Sequence, residues 1–360
     1  MRRNGGFTRR DLMRAAAALG GAAVFPARGA EPVRLGFTMS LTGGTAPNGK
    51  QLLASIELWR DDVNARGGLL GRPVQLVYYD DQSNPATVPG LYTKLLDVDK
   101  VDLVIGPYST NMVAPAMPVL MQREMTTVSI LALAANSRFH YPRYFSMIPA
   151  GPNPKTAFSS GFFTLAAAQN PRPKTVAIIA ADAEFARNSA DGARENAQSS
   201  GFSVVYDRTY PPSTVEFGSL MRAVQAASAD LVYVASYPPD TVGIVRAANE
   251  VRLEPKMFGG TLIGLLATPF KMQLGPLANG IVNSVSFIPA PKFDFPGNRD
   301  LLRRYQEKYE KEAYLKGPYR EVIRNRIAAI HDRYGLNSGP PHRHLEAWDV
   351  NQGSLFPAEL

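Results

Sequence analysis

From Val33 onwards the sequence alternates short apolar runs with longer segments whose apolar residues recur at helical spacing, and it keeps up this alternation for some 250 residues. The runs predict strands over residues 33–39, 74–79, 103–105, 127–131, 175–180, 203–206, 231–235, 257–258 and 281–287. Between them the periodicity predicts helices over 50–64, 88–98, 112–122, 155–168, 184–199, 216–227, 240–251 and 299–311. A parallel neighbour is reached only by a crossover, so strand and helix in regular succession mean doubly wound parallel sheets with helices on both faces. The expected class is α/β. The pattern breaks at Ala150-Gly151-Pro152-Asn153-Pro154 and restarts at Thr175, which divides the chain into two lobes. The first is expected at 31–149 with a return at about 284–312, and the second at 153–283. Open parallel sheets bind ligands at the carboxyl ends of their strands, so a ligand cleft is expected between the lobes.

A chain of 360 residues is long enough for two such lobes. It contains no cysteine, which excludes disulfides, thiolate metal sites and cysteine nucleophiles. The net charge of +8 is concentrated at the start, where residues 1–30 hold six arginines against Asp11 alone, and +3 remains for the rest. So even a balance gives no basic stripe for nucleic acid. The same thirty residues have the order of an export signal. Arg9-Arg10 opens a basic segment, Ala15 to Val24 is small and apolar, and Ala27-Arg28-Gly29 places small residues for cleavage near Gly29 or Ala30. The paired arginines point to the twin-arginine route and a periplasmic location.

Several motifs invite chemistry. Gly44-Thr45-Ala46-Pro47-Asn48-Gly49-Lys50 has the GxxxxGK spacing of a phosphate loop, which would make a nucleotide-binding enzyme. However, Gln51 stands where magnesium needs a hydroxyl, and Pro47 removes a backbone N–H, so a glycine-rich turn opening a helix is the competing reading. Gly106-Pro107-Tyr108-Ser109-Thr110 joins a strand to a helix whose free N–H groups and hydroxyls suit a carboxylate or amide oxygen; Ser109 or Thr110 as an ordinary N-cap accounts for it equally. Tyr233 and Tyr237 give an aromatic edge at a strand's carboxyl end, fit to wall a pocket or to pack on a helix. Asp80, Asp81, Asp182 and Glu184 lie at or just past strand ends, as ligand contacts or caps. His342-Arg343-His344 has no carboxylate at metal-site spacing, and no GxSxG elbow occurs. No catalytic residue, metal or cofactor is expected.

Read in series, Asn64 to Val74 (NARGGLLGRPV), Tyr79 to Pro85 (YDDQSNP) and Ile105 to Ser109 (IGPYS) resemble the first lobe of the Leu/Ile/Val-type periplasmic substrate-binding proteins of ABC transporters. The likeness continues through Tyr144-Phe145, Asp182 to Ala186, Tyr237 to Asp240 and Phe258-Gly259-Gly260, and covers about residues 31–312. It implies the type I periplasmic binding protein fold, two lobes joined by three crossovers, and a monomer that carries a small ligand to a membrane permease. It also implies a site: Tyr108, Ser109 and Thr110 with Ala132 and Leu133 around the ligand's carboxylate, aromatics at Phe185 and Tyr237, and Thr261 where amino-acid binders often place an acid. With Thr261 there, an amide, a small carboxylate or an aromatic acid fits as well as an amino acid. From about Ala313 the likeness ends. One amphipathic helix over 319–334 and a loop are all that residues 317–360 suggest, as a shifted reading frame or a truncated copy would leave. The two other functional classes open at this point are the nucleotide enzyme and a ligand sensor that serves no transporter.

Overall fold

The computed structural model describes residues 31–148, 150–284, 300 and 303–304. The export signal, most of the return segment with its helix over 299–311, the end of the run over 281–287 and the divergent tail lie outside them. Among the described residues ten strands form two five-stranded, wholly parallel sheets. The first contains β1 (Val33–Met39), β2 (Val74–Asp80), β3 (Leu103–Ile105), β4 (Thr127–Ser129) and β5 (Tyr144–Ser146), in the order β2-β1-β3-β4-β5. The second contains β6 (Thr175–Ala181), β7 (Ser203–Tyr210), β8 (Leu231–Ser236), β9 (Met257–Leu262) and β10 (Ile281–Asn283), in the order β10-β9-β8-β6-β7.

The central strands are buried on both faces, and their sequences show why. β6 (TVAIIAA) and β8 (LVYVAS) are almost continuous apolar runs, as a strand covered by helices on both sides must be. The helices of the first lobe are α1 (Ala46–Ala65), α2 (Val88–Asp97), α3 (Thr110–Gln122) and the single turn α4 (Asn136–Phe139). The second lobe has α5 (Pro154–Ala167), α6 (Glu184–Ser199), α7 (Gly218–Ala226), α8 (Pro238–Glu250) and α9 (Thr268–Leu274). Its core is one cluster around β6 and β8, into which Phe162, Phe163, Tyr233 and Met221 pack.

Two strands outrun their predicted ends by more than one residue. β7 continues through Asp207, Arg208 and Thr209, because as an edge strand it tolerates polar residues. β9 runs to Leu262 through Gly259 and Gly260, a pair that reads as a break in sequence. The glycines belong to the strand: a Cβ on Gly259 would lie 1.8 Å from the Val282 carbonyl oxygen, and Gly260 has φ +135° with the Val234 carbonyl oxygen 2.4 Å from its missing Cβ.

Beyond β5 the chain crosses to the second lobe, whose first helix begins at Pro154. At the far end of β10 it is tied back, with Ser284 Oγ donating to the Phe158 carbonyl at 2.8 Å. Arg304 then meets Asp62 on α1 at 3.0 Å, against the first lobe. Among the described residues no helix is long and apolar enough to cross a membrane.

Candidate functional site

The carboxyl ends of both sheets face a cavity of about 450 Å³ between the lobes, within the range of small-molecule sites. On α1, Asn48, Gln51, Leu52 and Ser55 line it. Their spacing of i, i+3, i+4 and i+7 puts them on one helical face. Gly49 presses the start of α1 onto the loop after β1, since a Cβ there would stand 2.0 Å from the Ser40 carbonyl oxygen. Residues 46–50 are therefore helix, Lys50 is exposed and off the cleft-facing row, and the GxxxxGK stretch forms no phosphate cradle.

Two aspartates hold that loop. Asp80 accepts hydrogen bonds from the Leu41, Thr42 and Gln82 N–H groups and, at 2.6 Å, from the Thr42 hydroxyl. Partial burial opposes its ionisation, but these bonds outweigh it and hold the carboxyl below the ordinary range. Asp81 is fully buried and accepts from Ser40 Oγ at 2.7 Å, Thr38 Oγ1 at 3.1 Å and the Ser83 N–H at 3.0 Å; here burial wins and pushes its pKa up. Both act through the loop and do not reach the cleft. Asp182 and Glu184 pair with Arg187 at 2.9 and 3.5 Å.

At the turn from β3 to α3, Tyr108 and Ser109 line the cavity. Ser109 has φ +78° and ψ 149°, a conformation close to glycine-only territory. That geometry caps α3, with the Asn111 N–H donating to Ser109 Oγ at 3.3 Å. The Ser109 carbonyl in turn accepts from the Met112 and Val113 N–H groups at 3.1 and 3.0 Å, so the opening turn of α3 is closed on Ser109 itself. Leu131 and Leu133 beyond β4, with Ile148 on the crossover, complete the first-lobe wall. From the second lobe come Phe158 of α5, Phe185 at the start of α6, Tyr237 before α8, Ile263 and Leu266 of a 3-10 turn (Ile263–Leu266), and Lys271 of α9. Phe185 sits between Phe158 and Tyr237, edge to face at 6.1 Å from each.

The lobes are bonded directly to each other. Asn111 Oδ1 accepts from the Phe185 N–H at 3.0 Å and the Tyr237 hydroxyl at 2.7 Å, and Asn188 Nδ2 donates to the Leu133 carbonyl at 3.3 Å. Burial raises the Tyr237 pKa, so its hydroxyl remains a donor at any ordinary pH. Because that hydroxyl is engaged by Asn111, the tyrosine offers the cavity its ring.

The periplasmic binding protein family model matches residues 32–319. The chain belongs to that family. It is similar to Leu/Ile/Val-binding protein homolog 8 of Brucella abortus, 27% identical over 284 residues that cover 77% of this chain and 70% of the relative. Among solved structures, a leucine-binding protein of Thermotoga maritima matches with TM-score 0.69 at 16% identity, over 77% of this chain and 76% of its own. A substrate-binding protein from Streptococcus pneumoniae, in complex with isoleucine, gives 0.67 at 20% identity over 78% of each chain. An R. palustris solute-binding protein in complex with 4-hydroxybenzoate gives 0.66 at 22% identity, over 77% of this chain and 73% of its own. At these identities the solved structures establish a shared fold, the type I periplasmic binding protein fold with its two parallel-sheet lobes.

Of the residues singled out in sequence, Tyr108, Ser109, Leu133, Phe185 and Tyr237 come together around the periplasmic binding protein cleft. Three do not line it. Thr110 is fully buried and its Oγ1 accepts from the Leu133 N–H at 2.7 Å, so it fixes the loop after β4. Ala132 packs with Val113, Met117 and Tyr141. Thr261 lies within β9, in register with Ala235 of β8, and not beyond the strand's end. Its hydroxyl joins Ser189 at 2.6 Å and Tyr233 at 3.4 Å in a buried triad.

The sequence reading missed Asn111, the α1 row and the α9 segment with Lys271. The signal for α9 was present: Thr268-Pro269 is a start with proline in the first turn, and Gly275 follows the last residue. Asn111 had no such signal, since its role depends on the opposite lobe. Among the described residues no group of three His, Asp or Glu could hold a metal ion.

Proposed function

We propose that the protein is an extracytoplasmic receptor that closes on a small polar solute, an amino acid, amide or small carboxylate, and delivers it to an ABC permease. The observation that carries this reading is the cavity walled by both sheets' carboxyl ends, with Asn111 bonding one lobe to the other across it. The Ser109 hydroxyl, at the positive end of α3, is the donor for a ligand oxygen atom, Tyr108 and Leu133 flank it, and Phe185 and Tyr237 close the opposite side. The isoleucine and 4-hydroxybenzoate bound by the similar structures share a carboxylate, the group such a turn receives. The arginine-paired N-terminus supports export to the periplasm, and the Arg304–Asp62 contact supports return of the chain to the first lobe after residue 284. We take the receptor to act as a monomer.

Uptake tests delivery. Deletion of the gene, with complementation, should abolish import of the solute that raises the purified protein's melting temperature; unchanged import would leave a sensor on the same fold. The nucleotide-enzyme reading has no cradle at residues 44–50, and ATP with magnesium should leave the melt unmoved. Export is tested by fractionation, where replacement of Arg9 and Arg10 by lysine should retain the protein in the cytoplasm.

A further inference from the structure

We infer that Thr110 and Thr241 are a matched pair of positioning residues, one in each lobe, that clip the cleft walls in place and hold the two residues that bond across the cleft. The inference rests on the receptor reading above and deepens it. Read from β7, the second sheet has the order β7-β6-β8-β9-β10, so β8 and β9 occupy the places that β3 and β4 take in β2-β1-β3-β4-β5. Thr110 opens α3, the helix after β3, and Thr241 lies at the end of the first turn of α8, the helix after β8. Both are fully buried. Thr110 Oγ1 accepts from the Leu133 N–H at 2.7 Å, in the loop after β4. Thr241 Oγ1 accepts from the Gly264 N–H at 3.2 Å, in the turn after β9. Each hydroxyl thus ties the start of one helix to the loop after the next strand. Each of those loops is cleft wall, with Leu131 and Leu133 in the first lobe and Ile263 and Leu266 in the second.

Ordinary helix-start chemistry does not account for these bonds. A threonine in a first turn commonly bonds its own helix, as Thr241 also does by donating to the Tyr237 carbonyl at 2.8 Å. The bonds to Leu133 and Gly264 instead join residues 23 apart, the same separation in both lobes. In the second lobe the close approach needs a glycine, because a Cβ on Gly264 would stand 2.8 Å from Thr241 Cβ and 3.0 Å from the Pro238 carbonyl oxygen. With Ser236 Oγ at 2.8 Å as its third partner, the Thr241 hydroxyl is fully used. The residues so held are the ones that reach the opposite lobe. The Leu133 carbonyl accepts from Asn188 of the second lobe at 3.3 Å, and the Tyr237 hydroxyl donates to Asn111 of the first at 2.7 Å. Loss of either threonine hydroxyl leaves a buried N–H without its acceptor and frees the wall beside the crossing bond.

Hydrogen exchange on the full chain, with titration of isoleucine and of 4-hydroxybenzoate, tests the pair. Thr110→Val should speed exchange at least tenfold in residues 131–133 and leave 263–266 at the parent rate, and Thr241→Val should do the converse. Thr110→Ser and Thr241→Ser should restore the parent rates. Thr127→Val is the control and should leave both loops unmoved, since Thr127 is 1% exposed and its hydroxyl has no hydrogen-bond partner among the described residues. Whichever solute binds the parent should bind each valine variant at least fivefold more weakly and each serine variant as the parent does. Unchanged exchange at the clipped loop, acceleration spread evenly through the lobe, or a serine variant that behaves as the valine one overturns the inference. So does unchanged affinity in either valine variant. If neither solute binds the parent, exchange alone decides for or against the pair, and a wider panel of solutes decides the receptor reading.

Discussion

Asn111 belongs to the first lobe by sequence and to both lobes by bonding, because its one side-chain oxygen accepts from a backbone N–H and a tyrosine hydroxyl of the other. In an open cleft all three groups are met by water, so the bonds act on the balance between open and closed and not on folding. Asn111→Ala leaves two donors unsatisfied only in the closed form, at a cost of about 1–3 kcal/mol. The account predicts roughly 5- to 150-fold weaker ligand binding by titration with an unchanged ligand-free melt. Asp240 has a different role at the same scale. Burial raises its pKa to about 6 against an ordinary 3.8, with the Tyr210 hydroxyl as its partner. Below about pH 4 both folded and unfolded chains hold this proton. Between about 4 and 6 only the folded chain does, so stability falls as pH rises through that window and the loss is complete above it. Asp240→Asn removes the titration. Its melting temperature should match the parent's near pH 4 and exceed it at pH 8 by the equivalent of up to about 2–3 kcal/mol.

Elements decide where the cleft-facing row of α1 points. Gly49→Ala drives a methyl into the Ser40 carbonyl, and overpacking of this kind costs about 1–3 kcal/mol. Urea melts should show that loss, and ligand affinity should fall with it because Asn48 and Gln51 move. Gly90 in α2 is a control with nothing within 4 Å of its missing Cβ and no unusual φ, so Gly90→Ala should stabilise by about 0.5–1 kcal/mol. The strand and helix succession was legible in sequence because burial on both faces writes β6 and β8 as apolar runs and amphipathic spacing marks the helices. β5 (Tyr144–Ser146) was absent from the predicted strands, because a three-residue, largely exposed edge strand carries too little apolar pattern to read. The cleft was half legible. Tyr108 and Ser109 stand at a strand-to-helix turn that any α/β chain advertises. By contrast, Thr261 was misplaced because Gly259-Gly260 looked like the end of a strand that continues through them.

At the scale of the molecule, two similar sheets with separate cores meet through a cavity, a few direct bonds and the chain that follows β5, an arrangement that lets them move as rigid bodies. A solute that binds only the native protein should raise its stability by about 2.7 kcal/mol at a hundredfold excess over Kd. Closure on that solute is the central claim, and the absence of cysteine makes it measurable without background labelling. Val98 in the first lobe and Val215 in the second are 70% and 84% exposed. With Val98→Cys and Val215→Cys carrying a donor and an acceptor dye, single-molecule energy transfer reports the distance between lobes. The account predicts two populations, with the one matching the closed cleft growing saturably at the same Kd that titration gives. A solute that binds tightly while the distance distribution stays unchanged would contradict it.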